Sequence, residues 1–220
     1  MIITIDGPAA AGKGTVSKVL AQKYKLAYFD TGMIYRAVGL EMVLSDFDLT
    51  DEDKAFDIAQ KMTFEKMMAL STHKDFRTDI GGQAASKVSA MPKVRQALLK
   101  MQQDFALSPV FADGTKANGA IYDGRDTGTV ICPQADIKFF VTASTEVRAL
   151  RRFREFEQKG IETSYEKVLE DMIARDKRDS ERSSAPMKPA EDAIVMDTSD
   201  MDAQTEIDAV LKIVESKIGY

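Results

Sequence analysis

The first fifteen residues, MIITIDGPAAAGKGT, constrain the fold of this chain more than any other stretch. Ile2, Ile3 and Ile5 form a short β-branched apolar run, which predicts a fully buried strand. A loop of small residues around a single lysine follows, and Thr15 then opens an amphipathic helix. A buried strand that leads through a glycine-rich loop into a helix is the setting in which proteins bind phosphate groups.

The spacing Gly7-x-x-x-x-Gly12-Lys13 is that of a phosphate-binding loop. Small residues let backbone N–H groups point at an anion, and the following helix adds its positive end and its unpaired amides. The strict motif has Ser or Thr directly after the lysine, whereas here Gly14 comes before Thr15. The ending Gly-Lys-Gly-Thr resembles that of kinases acting on nucleotides and small metabolites, although a glycine-rich turn without function can show the same spacing.

Composition limits the function classes that need to be considered. The formal net charge of −5 argues against a non-specific nucleic-acid binder, so an anionic substrate must meet a positive field that is built locally. The single cysteine, Cys132, excludes an internal disulfide and suits a reducing compartment. We find no signal peptide and no apolar run long enough to cross a bilayer, so we expect a cytoplasmic protein without a membrane partner.

Strand and helix patterns alternate along the chain, which predicts an α/β fold with an open parallel sheet wrapped by helices, as in P-loop NTPases. We expect Gly81-Gly82 to interrupt the helical pattern before a short helix, and Thr163 with Glu166 to form a capping box. The predicted strands cover residues 2–5, 26–29, 120–122, 137–142 and 193–196. The predicted helices cover residues 15–24, 33–44, 55–61, 83–89, 92–105, 145–159, 163–179 and 201–217.

Ligands of such sheets bind at the carboxyl ends of the strands. Arg36 follows the second predicted strand, and Arg125 follows the third. Two guanidinium groups that converge at one sheet edge can hold a phosphate group through bidentate contacts, although each arginine alone reads as an ordinary surface charge. A cluster at Arg175, Asp179 and Arg182 is interpreted from spacing alone as a salt-bridged helix face. The arginines within 148–154 lie so close together that they indicate an anionic ligand, although Glu155 and Glu157 could pair with them instead.

Five segments, in this order, resemble bacterial cytidylate kinase: GPAAAGKGT, DTGMIYR, RTDIGGQAASKVSAMPKVR, DGRDTGTVICPQADIKFFVTAS and RDKRDSERSSAP. DTG-x-x-YR and DGRD-x-GT together are more specific to that family than the phosphate loop. The resemblance spans most of the chain except residues 45–75 and 107–119. It implies a nucleoside monophosphate kinase with a core at about 1–44, 106–147 and 183–220. A mobile NMP-binding flap at about 45–105 and a lid at about 148–182 would close over the substrates.

The resemblance implies ATP-dependent phosphorylation of CMP and dCMP, with Mg²⁺ as cofactor and a monomeric enzyme. Lys13, Arg36 and Arg125 match catalytic positions, and Thr15 and Asp123 match positions that hold the metal, the latter through water. The positions that match ATP-binding residues are Gly7, Pro8, Ala9, Ala10, Ala11, Gly12, Lys13, Gly14, Thr15, Arg148, Arg151 and Arg154. The positions that match CMP-binding residues are Thr31, Arg36, Ser86, Arg95, Gly124, Arg125, Asp126, Arg175, Asp179 and Arg182.

By the same resemblance, four of these positions match residues that read the base, namely Ser86, Arg95, Asp126 and Arg182. A carboxylate can accept the N4 amino proton of cytosine while arginines donate to its acceptors, and uracil reverses both patterns. Two alternatives stay open from the sequence. One is another nucleoside monophosphate kinase acting on UMP, AMP or dTMP, and the other is a non-catalytic nucleotide-binding module.

Overall fold

The computed structural model describes residues 1–219 and is built on a five-stranded sheet in which all paired strands are parallel. The strand order is β2-β3-β1-β4-β5, so the strand before the phosphate loop lies at the centre. This confirms the predicted fold class. The strands are β1 (Ile2–Asp6), β2 (Ala27–Asp30), β3 (Ala120–Gly124), β4 (Ile137–Thr142) and β5 (Ile194–Asp197).

Helices connect the strands and cover both faces of the sheet. No helix within residues 1–219 has the length and apolar character that a membrane span needs. Between β3 and β4 the chain makes a single π-helical turn at Thr127–Ile131, which the sequence did not predict. The α-helices are α1 (Lys13–Tyr24), α2 (Thr31–Leu44), α3 (Glu52–Gln60), α4 (Phe64–Ser71), α5 (Asp79–Val88), α6 (Pro92–Leu107), α7 (Thr145–Gln158), α8 (Tyr165–Glu181) and α9 (Ala203–Ile218).

Two main apolar layers hold the sheet. On one face, Phe29 and Tyr122 pack with Phe105 of α6 at ring-centroid distances of 4.9–5.9 Å. On the other face, buried side chains of β1 and β4 pack against α1 and α9. A smaller cluster joins α7 to α8 beside the phosphate loop. Because aromatic and aliphatic side chains fill both layers, the central strands are fixed and their carboxyl ends form a rigid edge.

Two local predictions were wrong. Gly81 and Gly82 do not interrupt a helix but lie inside α5. A Cβ at Gly81 would lie 2.4 Å from the carbonyl oxygen of Phe76, so the residue is small because another segment packs against it. The cap of α8 is Ser164, whose hydroxyl accepts the Lys167 N–H at 3.2 Å, one residue later than the predicted capping box.

Candidate active site

A cleft of about 1080 Å³ opens along the carboxyl edge of the sheet, where the sequence predicted that ligands bind. Gly7, Pro8, Ser86 and Arg148 are the predicted site residues that do not line it. The predicted residues that do line it are Ala9, Ala10, Ala11, Gly12, Lys13, Gly14, Thr15, Thr31, Arg36, Arg95, Asp123, Gly124, Arg125, Asp126, Arg151, Arg154, Arg175, Asp179 and Arg182.

The phosphate loop crosses the centre of the cleft between β1 and α1. Gly7 has a φ of 141°, and a Cβ there would lie 1.9 Å from the Val141 carbonyl oxygen. Gly12 has a φ of 101°, which is also unfavourable for residues with a side chain. Ala10 adopts the left-handed region at 59°, so the loop tolerates a methyl group at this turn. Gly7 and Gly12 are therefore required by their backbone conformations, and Gly7 also by the close approach of the Val141 carbonyl group.

Lys13 lies at the first position of α1 and is almost fully buried. Its Nζ donates to the Pro8 carbonyl oxygen at 2.8 Å and lies 3.8 Å from Asp123 Oδ1. Burial and the nearby Arg125 guanidinium lower the pKa of Lys13 to about 8. Pro8 thus serves the site through its backbone, which holds the lysine side chain across the loop.

Three arginines surround the space beyond Lys13. Arg125 donates from Nε to Asp179 Oδ2 at 3.1 Å, and Arg175 Nε lies 3.8 Å from the same oxygen. Arg36 reaches the space from α2 and donates to the Phe76 carbonyl oxygen at 2.9 Å. Burial and Arg125 lower the pKa of Arg175 to about 10, and burial also lowers the pKa of Arg36. Cations packed this closely repel one another, so the arrangement favours an anion between them.

Asp123 and Thr31 connect the ends of β2 and β3. The Thr31 hydroxyl donates to the Asp123 carbonyl oxygen at 2.9 Å, and the Tyr28 hydroxyl donates to Asp123 Oδ2 at 3.4 Å. A Cβ at Gly14 would lie 3.4 Å from the same carboxylate oxygen, so Asp123 stands directly beside the start of α1. Asp30, which the sequence analysis did not single out, caps α2 by accepting the Gly32 N–H and lines the cleft.

A buried charged triad lies beyond the arginines. Asp126 forms an ion pair with Arg95, and its other oxygen accepts from Arg182 Nη2 at 3.4 Å. Arg95 also stacks its guanidinium over the Tyr35 ring at 5.2 Å and donates to the Ser89 carbonyl oxygen. The three charged groups come from segments distant in sequence and present alternating donors and acceptors. Such a set can recognise the polar edge of a small planar ligand.

Ser86 is buried on α5 and does not line the cleft. Its hydroxyl accepts from Arg178 Nε at 3.2 Å, and Arg178 also donates to Gln83 Oε1 at 3.4 Å. Arg178 is a residue that the sequence analysis missed, because its position on α8 gave no signal beyond a common basic run. It joins α8 to α5 at Ser86, one of the four predicted base-reading residues.

Asp6 is another residue that the sequence analysis missed. It ends β1, and its carboxylate accepts from the Thr127 N–H and hydroxyl and from the Gly128 N–H at 2.8–2.9 Å. Burial raises the pKa of Asp6 to about 6, even though these hydrogen bonds oppose the shift. The carboxylate therefore fixes the π-helical turn that directly follows Gly124, Arg125 and Asp126.

The four arginines of α7 occupy different positions. Arg148 is buried behind the phosphate loop, where it pairs with Asp176 at 2.7 Å and donates to the Ala9 carbonyl oxygen at 3.3 Å. Arg151 donates to backbone oxygens of Thr198 and Met201 and lines the cleft. Arg154 lines it as well, and so does Arg152, which was not among the predicted site residues. Contact of Arg148, Arg151 and Arg154 with ATP stays a prediction.

Known proteins are similar to this chain over nearly its full length. A family model described as cytidylate kinase matches residues 3–216. A cytidylate kinase of Paramagnetospirillum magneticum is 49% identical over 216 residues, which are 98% of each chain. A cytidylate kinase of Rhodospirillum rubrum is 47% identical over 217 residues, which are 99% of this chain and 98% of the relative.

A solved structure shows the fold independently. An uncharacterized protein from Eubacterium ventriosum is 15% identical and superimposes with a TM-score of 0.52, covering 98% of both chains. At this identity the likeness concerns the arrangement of strands and helices alone.

Proposed function

Since the chain belongs to the cytidylate kinase family, we propose that its cleft transfers the terminal phosphoryl group of ATP to the phosphate of CMP and of dCMP. The observation that carries the proposal is the convergence of Lys13, Arg36, Arg125 and Arg175 between the phosphate loop and the ends of β2 and β3. A site that must bring two polyanions together needs this concentration of positive charge.

The residues divide into a donor side and an acceptor side. The backbone of the phosphate loop, with Lys13, holds the donor phosphates. Arg36 and Arg125 hold the acceptor phosphate. A hydrogen bond to the Phe76 carbonyl oxygen positions Arg36, and a hydrogen bond to Asp179 positions Arg125. The acceptor oxygen is already an anion, so no catalytic base is required. The protein aligns the two phosphates and neutralises charge as it spreads over the transferred group.

Mg²⁺ fits this site through Thr15 and Asp123. No group of three or more His, Cys, Asp or Glu side chains within residues 1–219 is arranged to hold a metal ion. Mg²⁺ commonly takes one or two protein oxygens and fills its remaining positions with waters and nucleotide phosphates, so a hydroxyl and a carboxylate beside the phosphate loop suit it. Bound there, it would neutralise charge on the donor phosphates.

The triad of Arg95, Asp126 and Arg182 is the part of the site that we assign to the base. The Asp126 carboxylate accepts a hydrogen bond from the N4 amino group of cytosine, and the flanking guanidinium groups donate to N3 and O2 of the base. A uracil in the same position would set donor against donor and acceptor against acceptor. Because these protein groups are buried, leaving their donors and acceptors unpaired would weaken the binding of uracil more than a simple loss of contact area.

We also propose that residues 45–105 and 148–182 close over the bound nucleotides. The first range carries α3, α4, α5 and most of α6, and the second carries most of α7 and all of α8. Arg178 already connects α8 to α5 through Ser86 and Gln83. Closure would exclude water, which otherwise competes as a phosphoryl acceptor.

The test is to incubate the purified protein with Mg-ATP and, separately, with CMP, dCMP, UMP, AMP and GMP, and to measure nucleoside diphosphate formation. We expect CMP and dCMP to react with the highest kcat/KM. Faster reaction with AMP or GMP would contradict the base assignment, and nucleotide binding without turnover would contradict the enzymatic one. Light scattering of the same preparation tests the accompanying proposal of a monomer.

A further inference from the structure

Glu206 is a buried carboxylate in the wall of the cleft that none of the roles above uses. It lies in the first turn of α9, is 4% exposed and lines the cleft. Its side chain reaches the phosphate loop, since a Cβ at Gly12 would lie 2.3 Å and 2.4 Å from its two oxygens. A glycine at this position is what allows the carboxylate to approach the loop.

One oxygen of the buried Glu206 carboxylate is unpaired among the residues that the structure describes. Oε1 has no hydrogen-bond partner within residues 1–219. The nearest cations are committed elsewhere, because Arg151 donates to Thr198 and Met201 and Lys13 donates to Pro8. Burial raises the pKa of Glu206. An unpaired buried acceptor is costly, and a carboxylate beside a phosphate loop also repels phosphates, so the group calls for a hydrogen-bond donor.

The strand order shows which part of a ligand lies near Glu206. The acceptor-binding residues follow β2 and β3, which lie on one side of the central strand β1. Glu206 follows β5, on the opposite side, together with Met201 and Ala203 of the cleft wall. A donor nucleotide whose terminal phosphate faces the acceptor must extend its nucleoside away from β2 and β3. That direction leads past Gly12 towards Glu206.

We propose that Glu206 accepts a hydrogen bond from the nucleoside part of the phosphoryl donor and thereby selects the donor nucleotide. The inference rests on the proposed function, because it requires a nucleotide donor in the phosphate loop. Two groups of ATP offer the required N–H or O–H, namely the 6-amino group of the base and the hydroxyls of the ribose. The phosphates offer only acceptors and negative charge.

The experiment compares four donors, ATP, ITP, 2′-deoxy-ATP and 3′-deoxy-ATP, at saturating CMP. The proteins are the wild type, Glu206→Gln, Glu206→Leu and the control Glu215→Gln. Glu215 lies on the same helix, has a 44% exposed side chain and pairs with Lys23 away from the cleft. We expect Glu206→Leu to raise the KM for ATP about tenfold or more, the loss of one hydrogen bond to a charged group, with the KM for CMP and kcat little changed.

The pattern across donors identifies the source of the hydrogen bond. If Glu206 reads the 6-amino group, the preference for ATP over ITP disappears in Glu206→Leu. It shifts towards ITP in Glu206→Gln, because an amide nitrogen can donate to a 6-oxo group. If Glu206 reads a hydroxyl, the wild type discriminates against one of the deoxy donors and Glu206→Leu does not. The proposal is overturned if neither the preference for ATP over ITP nor the preference for ATP over the deoxy donors changes more than about twofold relative to Glu215→Gln, or about 0.4 kcal/mol.

Calorimetric titration with ADP and IDP gives a second readout that does not depend on turnover. Loss of the ADP-over-IDP preference in both Glu206 variants supports recognition of the amino group. If both ligands bind equally more weakly and the deoxy donors do not show the hydroxyl pattern, the role of Glu206 is merely structural and the proposal is overturned. If Glu206→Leu fails to fold, Glu206→Gln decides, since it keeps the shape of the side chain. A wild type that binds ADP but phosphorylates no nucleoside monophosphate contradicts the proposed function and not the selection of the donor.

Discussion

Replacing Arg125 with alanine should weaken CMP binding far more than ATP binding. The Arg125 guanidinium is held at 3.1 Å by Asp179 and faces the space between Lys13 and Arg36. Its removal takes away a charge-assisted contact to the acceptor phosphate, a loss of about 1.5–3 kcal/mol. Since about 1.4 kcal/mol corresponds to a factor of ten, Kd for CMP should rise roughly 10- to 100-fold.

The loss should fall mainly on CMP because of how the neighbouring charges are arranged. Lys13 stays anchored to the Pro8 carbonyl oxygen. The hydrogen bonds of Arg125 go to Asp179 and Gly124 and not to the phosphate loop. Asp179 keeps Arg175 as a partner at 3.8 Å, so the variant does not leave a buried carboxylate alone. We therefore expect Arg125→Ala to fold and to bind ATP with an affinity within about threefold of the wild type, or about 0.6 kcal/mol.

Calorimetric titration with CMP and, separately, with a non-hydrolysable ATP analogue measures both affinities. Arg125→Lys tests geometry, because lysine keeps the charge but loses the planar fork, and its affinity for CMP should lie between those of wild type and Arg125→Ala. Arg77→Ala is the control for net charge, since Arg77 is exposed and does not line the cleft. Equal weakening of CMP and of the ATP analogue in Arg125→Ala would refute the assignment of this arginine to the acceptor phosphate.

Three other predictions address base choice, pH dependence and packing. Asp126→Asn should reduce the ratio of kcat/KM for CMP over UMP about tenfold or more, because an amide nitrogen can donate to the uracil O4; an unchanged ratio would remove Asp126 from the base pocket. The pKa of Asp6 is raised to about 6 in the folded protein, so its contribution to stability grows as pH falls from about 7 towards 4. Urea unfolding at several pH values should show that Asp6→Asn lacks this component, and parallel pH profiles for both proteins would speak against it. Gly39→Ala should lower the free energy of unfolding by about 1–3 kcal/mol, since its Cβ would lie 2.7 Å from the Ala84 backbone where α2 meets α5; denaturant midpoints equal to those of the wild type would contradict this.

The acceptor site shows how far local pattern alone reaches. A β-branched run, small residues and a lysine specify the strand, the loop and the helix, because each depends on neighbours within a few residues. Arg36 and Arg125 could be placed at one edge because parallel strands bring their carboxyl ends together. The individual roles of these residues came from resemblance to a family, and they stay proposals.

Packing accounts for what the sequence pattern missed. The pattern at Gly81 predicts a helix break, but the glycine is there because Phe76 approaches α5. The π-helical turn at Thr127–Ile131 forms where Asp6, more than a hundred residues earlier, accepts its N–H groups. Neither partner is visible from the segment that it affects.

The sequence by itself determined the sheet class, the phosphate loop and the edge at which the charged residues collect, because these follow from hydrophobic period, turn residues and the geometry of parallel strands. Only the tertiary structure decided which charges meet. It pairs Asp126 with Arg95 and Arg182 and commits Arg148 to Asp176. It also leaves Glu206 against Gly12, with no hydrogen-bond partner for Oε1 in the part of the chain that the structure describes. The reason is that ion pairing and desolvation depend on distances between segments far apart in the chain, and no local pattern records those distances.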